Sequence, residues 1–212
     1  MRSIRSPVLD ANTVRTLAAV MALGTVGGIV MFARHGPARR PREFRAEDNP
    51  PEVLQVVWPL LVIVPQLYPF LVAVVPDLAY AGLPRFGFPG DDVAQIAGFL
   101  LWGLGGLLVL WAGRALGRFM MLQIAVATDH RLIDTGPYAF VRHPTYTGTM
   151  CLAVGVSLLF LSPILVGLAV AVVLVANYRA RKEERLLGSP AGLGEAYGAY
   201  MARTGRFLPR PR

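Results

Sequence analysis

The chain has 212 residues, 54% of them hydrophobic, with a mean hydropathy of +0.50 and a formal net charge of +8. That balance excludes an ordinary soluble domain and points to membrane spans. The charge does not argue for nucleic acid, because the basic residues gather at the ends of apolar runs, as in cytoplasmic membrane loops, and all but Lys182 are Arg. The single cysteine, Cys151, lies in an apolar run and excludes a disulfide within the chain or a Cys-based metal site. No His, Cys and carboxylate spacing calls for a metal, and none is expected.

In chain order, Arg2, Arg5 and Arg15 precede the apolar run Thr16 to Ala33. That run exceeds a usual signal-peptide core and is followed by "RHGPARRPREFR", which favours a retained span. Gly24, Gly27 and Gly28 within it suit close helix packing. Val53 to Val75, long enough to cross a bilayer core, contains Pro59, Pro65 and Pro69. Each removes a backbone donor, so a kinked or locally unwound helix is expected there. A third span covers roughly Val93 to Gly113. Pro144 to Tyr178 is then free of charge for 35 residues, about 52 Å as one helix and too long to cross once. "LSPI" at Leu161 to Ile164 is the expected turn, with Ser162 as cap and Pro163 opening the next helix. The result is an all-α polytopic membrane protein of about five spans, ending in a tight helical hairpin with two short arms. Charge asymmetry puts the polar segments around 34–52, 114–143 and 179–212 in the cytoplasm and the N-terminus outside. A four-span arrangement, with the first or second segment lying in the interface, is the alternative.

The polar pieces 114–143 and 179–212 are too small to hold a core alone. The hairpin returns the chain to the side it left, so they are expected to meet at its open end. In the first, Pro144 biases His143 away from helical angles and suits the first helical position. Arg142 and His143 then stand at a helix mouth flanked by Tyr138 and Tyr146. In the second, Arg179 and Glu183 share a helix face, Glu184 turns away from Glu183, Gly188 can end the helix and Ser189-Pro190 can begin another. Tyr197 and Tyr200 line one side of that short helix, with Arg203 and Arg206 after it. Taken singly, these are ordinary membrane-edge anchors, belt tyrosines and surface pairs. Their gathering at one end of one hairpin suggests a site.

Together they resemble a known family. "GPYAFVRHPTYTG" is similar to the G-P-Y-x-x-V-R-H-P-x-Y-x-G signature of the isoprenylcysteine carboxyl methyltransferases and their prokaryotic relatives. "LGRF" at 116–119, "DHRLIDTGPY", Glu183-Glu184 followed by Leu186-Leu187, and the closing Gly194, Tyr197, Tyr200, Arg206 and Pro209 match in order. The resemblance implies an integral membrane enzyme using S-adenosyl-L-methionine, with a cytoplasm-facing pocket in a bacterial or archaeal membrane and a lipophilic or lipidated acceptor entering from membrane lipid. It divides the chain into membrane helices over 1–113 and a methyltransferase core over 114–212. It implies Tyr138, Arg142, His143, Tyr146, Glu183, Glu184, Tyr197 and Tyr200 around the cofactor. Arg206 would orient an acceptor carboxylate, and His143 would stand by as a base for another acceptor. "FMMLQ" at 119–123 departs from the polar residues usual there, leaving the acceptor open between a carboxylate, a phospholipid amine and a small thiol. A non-enzymatic scaffold or transporter is the reading from a different class, supported only by the prolines of the second span.

Overall fold

The computed structural model describes residues 9–35, 44–45, 52–75, 87–120, 126–127 and 131–210. Most of the expected polar segment around 34–52, and part of that around 114–143, lies outside them. Among the described residues there are six α-helices: α1 (Ala11–His35), α2 (Glu52–Val74), α3 (Asp91–Leu116), α4 (Pro144–Phe160), α5 (Pro163–Gly188) and α6 (Glu195–Arg203). A two-residue antiparallel pair, β1 (Phe44–Arg45) with β2 (Val126–Ala127), joins the polar segment around 34–52 to that around 114–143. Four helices (α1, α2, α3 and α5) are long and apolar enough to cross a membrane by length and composition, and α4 is a shorter apolar helix. Its 17 residues make about 26 Å, at the lower limit for a span.

The hairpin turns where expected. Leu161 takes left-handed angles (φ 48°), Ser162 is extended and Pro163 starts α5. Two details differ from expectation. Ser162 makes no side-chain cap bond. The arms are unequal, because α5 runs on through the charged stretch to Gly188. Its second half is amphipathic rather than apolar, and that half carries Arg179, Glu183 and Glu184. Likewise α2 passes unbroken through all three of its prolines; Pro65 and Pro69 are fully buried, so their rings pack against protein. No helix starts at Ser189-Pro190, where the chain turns instead, and α6 begins at Glu195.

α3 and α4 make the most extensive helix pair among the described elements. Gly98 and Gly105 on one helix meet Gly155 and Gly148 on the other, at a spacing of seven residues on each. A Cβ on Gly105 would lie 2.7 Å from the Gly148 carbonyl oxygen, and one on Gly155 would lie 2.6 Å from that of Gly98. The backbones therefore touch, as small residues permit where lipid leaves little hydrophobic drive between helices. Of the glycines noted in α1, Gly24 packs against Trp102, whereas Gly27 and Gly28 face open space. Two apolar clusters fill the bundle. One joins Val14, Ala18 and Met21 of α1 to Val72, Val156, Leu159 and Leu165. The other joins Trp58 and Tyr146 to Ala153, Ala169, Val172 and Ala176. The second cluster seats α4 and α5 beneath the polar segments.

Candidate active site

Gly136 (φ 61°) turns the chain under Trp111 and Ala115 and opens a 3-10 turn, Gly136–Ala139, that buries Tyr138. His143 adopts non-helical angles (φ −125°, ψ 61°) before Pro144, the first residue of α4, as the clash with a following proline ring requires. The tail after α6 then runs alongside this mouth. Val141 bridges Gly205 in parallel, Arg142 N–H donates to the Gly205 carbonyl (2.9 Å) and His143 N–H to that of Arg206 (3.1 Å). Thr147 Oγ1 donates to the Phe207 carbonyl at 3.0 Å. The two polar segments thus fold against each other at the open end of the hairpin.

They enclose a cavity of about 380 Å³ whose walls include Trp58, Val62 and Ile63 of α2, Val109 and Leu116 of α3, and Tyr138, Arg142, His143, Thr145, Tyr146, Arg179, Glu183, Tyr197 and Tyr200. Such a volume is in the range of small-molecule sites. One wall is apolar and comes from helices long and apolar enough to cross a membrane; the other is aromatic and charged. Ile63 lines the cavity while half its surface faces outward. The apolar wall therefore reaches the bilayer-facing side of α2.

Charge is sorted between two neighbouring carboxylates. Glu183 faces the cavity: the Tyr146 hydroxyl donates to its Oε1, and His143 Nδ1 lies 3.5 Å from its Oε2. Tyr146 in turn accepts from Arg179 Nε at 3.1 Å. Glu184 faces away from the cavity and receives Arg142 Nε (2.9 Å) together with Arg206 Nε (3.1 Å to each oxygen) and Nη2 (2.5 Å). Arg142 also donates to the Met201 carbonyl at 3.2 Å and to that of Thr204. His143 Nε2 stands 3.3 Å from Glu184 Oε1 without a well-formed hydrogen bond.

Burial presses the His143 imidazole toward its neutral form, and the hydrogen bonds and charges of Glu183 and Glu184 outweigh it, so its pKa is raised. Burial and the Glu183 charge hold the Tyr138 phenol well above its ordinary value. Tyr197 is raised by burial and by Glu184, and Tyr200 is pushed up to about 12, chiefly by burial. The three phenols stay protonated at neutral pH. Tyr200 donates to the Tyr138 carbonyl at 2.6 Å, tying α6 to the turn.

Of the residues singled out from sequence, Tyr138, Arg142, His143, Tyr146, Glu183, Tyr197 and Tyr200 share the cavity wall. Glu184 and Arg206 do not line it. Arg206, expected to meet an acceptor carboxylate, is turned to Glu184 and to Asn177 (Nη1 to Oδ1, 3.2 Å). Sequence reasoning also missed two members. Arg179, taken for part of a surface pair, is only 2% exposed, lines the cavity and lies over the Trp58 ring at 5.4 Å. Trp58 packs edge-on to Tyr146 at 5.2 Å. The four-residue spacing of Arg179 and Glu183 carried a signal for the first; nothing local to α2 marked the second.

Residues 98–189 match the family model of the isoprenylcysteine carboxyl methyltransferase (ICMT) family. The human protein-S-isoprenylcysteine O-methyltransferase is 30% identical over 89 residues, 42% of this chain and 31% of the relative. The rat protein of the same name is 29% identical over 114 residues, 49% of this chain and 40% of the relative. The chain therefore spans about a third of the length of these curated relatives. The matched stretch holds α4, α5 and most of α3, the helices that carry the RHP mouth and the paired glutamates; over it the chain is similar to the isoprenylcysteine carboxyl methyltransferase family.

Proposed function

We propose that the chain is an integral membrane methyltransferase that uses S-adenosyl-L-methionine to methylate the carboxylate of a lipophilic, isoprenylcysteine-like acceptor, with the cavity facing the cytoplasm. The single observation behind this reading is the junction in the cavity wall, where Glu183, Tyr146 and Arg179 meet Trp58 and the apolar face of α2. S-adenosyl-L-methionine supplies, when bound, a methyl group already activated on a sulfonium. The residues present fit that group. Glu183 offers a carboxylate to its cationic parts, and Tyr138, Tyr146 and Tyr197 offer aromatic faces, worth roughly 0.5–2 kcal/mol to a neighbouring cation. Positioning is then the main task of the protein, because in-line transfer depends on holding two reactants in register.

The acceptor side is read from Arg179, which sits where the apolar and polar walls join. An Arg at that place suits a carboxylate whose lipid tail lies along Val62 and Ile63. Arg206, bound to Glu184, instead holds the site together. An amine or thiol acceptor would need a base positioned to take its proton. The carboxylate is already ionised and needs none. The proposed core over 114–212 takes much of its apolar wall from Trp58, Val62 and Ile63 of α2 and Val109 of α3, which lie in 1–113.

The test is direct. Purified protein is titrated with S-adenosyl-L-methionine, and membranes are then supplied with methyl-labelled cofactor and a prenylated cysteine analogue. Saturable binding, weakened at least tenfold by Glu183→Ala, and a base-labile methyl ester are expected. Undiminished binding in both Glu183→Ala and His143→Ala overturns the site; a base-stable product overturns the carboxylate acceptor.

A further inference from the structure

The far end of the α3–α4 pair carries a second polar group that the methyl-transfer reading does not use. Asp91, Gln95 and Ser162 are 3%, 2% and 1% exposed. Among the described residues each has one buried oxygen without a hydrogen-bond partner: Asp91 Oδ1, Gln95 Oε1 and Ser162 Oγ. Three orphaned buried oxygens in one neighbourhood are costly, and each stands in need of an account.

The helix register brings the three together. Gly105 meets Gly148, and Gly98 meets Gly155. One turn nearer the start of α3, Gln95 Nε2 donates to the Leu159 carbonyl at 2.8 Å. Another turn on, α3 reaches Asp91, while α4 ends at Phe160 and the chain turns through Leu161 to Ser162, so extending the register points Asp91 toward that turn. Gln95 cannot satisfy the group by flipping, because its amide nitrogen is held by Leu159 and its carbonyl oxygen must point the other way. Ser162 does not cap α5. The neighbouring end of α4 adds carbonyls that lack helical donors. A carboxylate, an amide carbonyl, a hydroxyl and helix-end carbonyls are hard oxygen donors. With one formal negative charge among them, they suit a small alkali cation better than a divalent ion, which gathers more carboxylates or keeps its water.

We propose that Asp91, Gln95 and Ser162 bind a small monovalent cation of the sodium class, pinning the start of α3 to the turn between α4 and α5. By helix rise it lies roughly 37 Å along α3 from Leu116 in the cavity wall, so it stands independently of the methyl-transfer reading.

The experiment is thermal unfolding of the detergent-purified full chain, replacing choline chloride with NaCl at constant ionic strength, with KCl and CaCl2 in parallel. Binding to the folded state alone raises Tm by about 5–11 °C at a hundredfold excess over Kd. The expected result is a saturating rise with NaCl, shifted at least tenfold in midpoint by Asp91→Asn and by Ser162→Ala, and unchanged in Glu183→Ala. Ser162→Ala removes no hydrogen bond at the hydroxyl and carries the test should Asp91→Asn fail to fold. Superimposable NaCl and choline curves, a response to CaCl2 alone, or a sodium response that survives both substitutions overturns the proposal.

Discussion

Replacing Glu184 with Gln tests whether the site is held together by a carboxylate outside the cavity. In the wild type, Glu184 accepts from Arg142 and Arg206 and lies beside His143. It thereby fastens α5 both to the mouth of α4 and to the tail after α6. The amide would keep one acceptor oxygen but set an NH2 group against a guanidinium. Breaking one side of a buried pair costs about 3–5 kcal/mol. Arg142 would keep the carbonyls of Met201 and Thr204, and Arg206, 31% exposed, would keep Asn177 and reach solvent. The lower end, about 3 kcal/mol, therefore applies, equivalent to a Tm drop of roughly 6–12 °C for a chain of this size. Cofactor affinity should fall in parallel, because the mouth loosens. Glu183→Gln should behave oppositely: Tm moves by less than about 3 °C, since this carboxylate is partly exposed and its Tyr146 bond can be replaced, while binding drops at least tenfold. Paired unfolding and cofactor-titration curves on the two variants decide it. If Glu184→Gln keeps its Tm and loses binding as Glu183→Gln does, then Glu184 touches the ligand and the division of labour drawn here is wrong.

His143 has a raised pKa, so its contribution to stability is fully present below its unfolded value of about 6.5 and is lost as pH rises through the folded value. Wild-type Tm should therefore decline above pH 6.5 more steeply than that of His143→Gln, and parallel slopes would refute the pairing. Gly105→Leu should destabilise by at least about 3 kcal/mol or prevent insertion, because a side chain there meets the Gly148 backbone; Gly27→Leu, facing open space, should shift Tm by under about 2 °C. Tyr200→Phe removes the bond to the Tyr138 carbonyl and should cost about 1 kcal/mol, with faster proteolysis of the tail as the readout. Arg179→Lys should keep the fold but lower methyl transfer at least tenfold, since an ammonium cannot reproduce the fork over Trp58; full activity would shift carboxylate recognition elsewhere.

Much of this architecture was legible in local pattern. Charge-free runs long enough to cross a bilayer located α1, α2 and α3, and Leu161-Ser162-Pro163 located the turn, because helix length and proline geometry are properties of neighbouring residues. His143 before Pro144 likewise declared a non-helical mouth. The gathering of Tyr146, Glu183, Tyr197 and Tyr200 on one cavity could be inferred because a hairpin must return its chain to the same side. Tertiary structure alone decided the rest. A difference of one residue in helical phase separates Glu183, in the cavity, from Glu184, behind it, where Arg206 pairs with it. Trp58 became a wall of the site only by the way α2 packs against α4 and α5. The glycine contacts of α3 with α4 depend on which faces meet, and in lipid the hydrophobic pattern that orients helices in water no longer says which face that is.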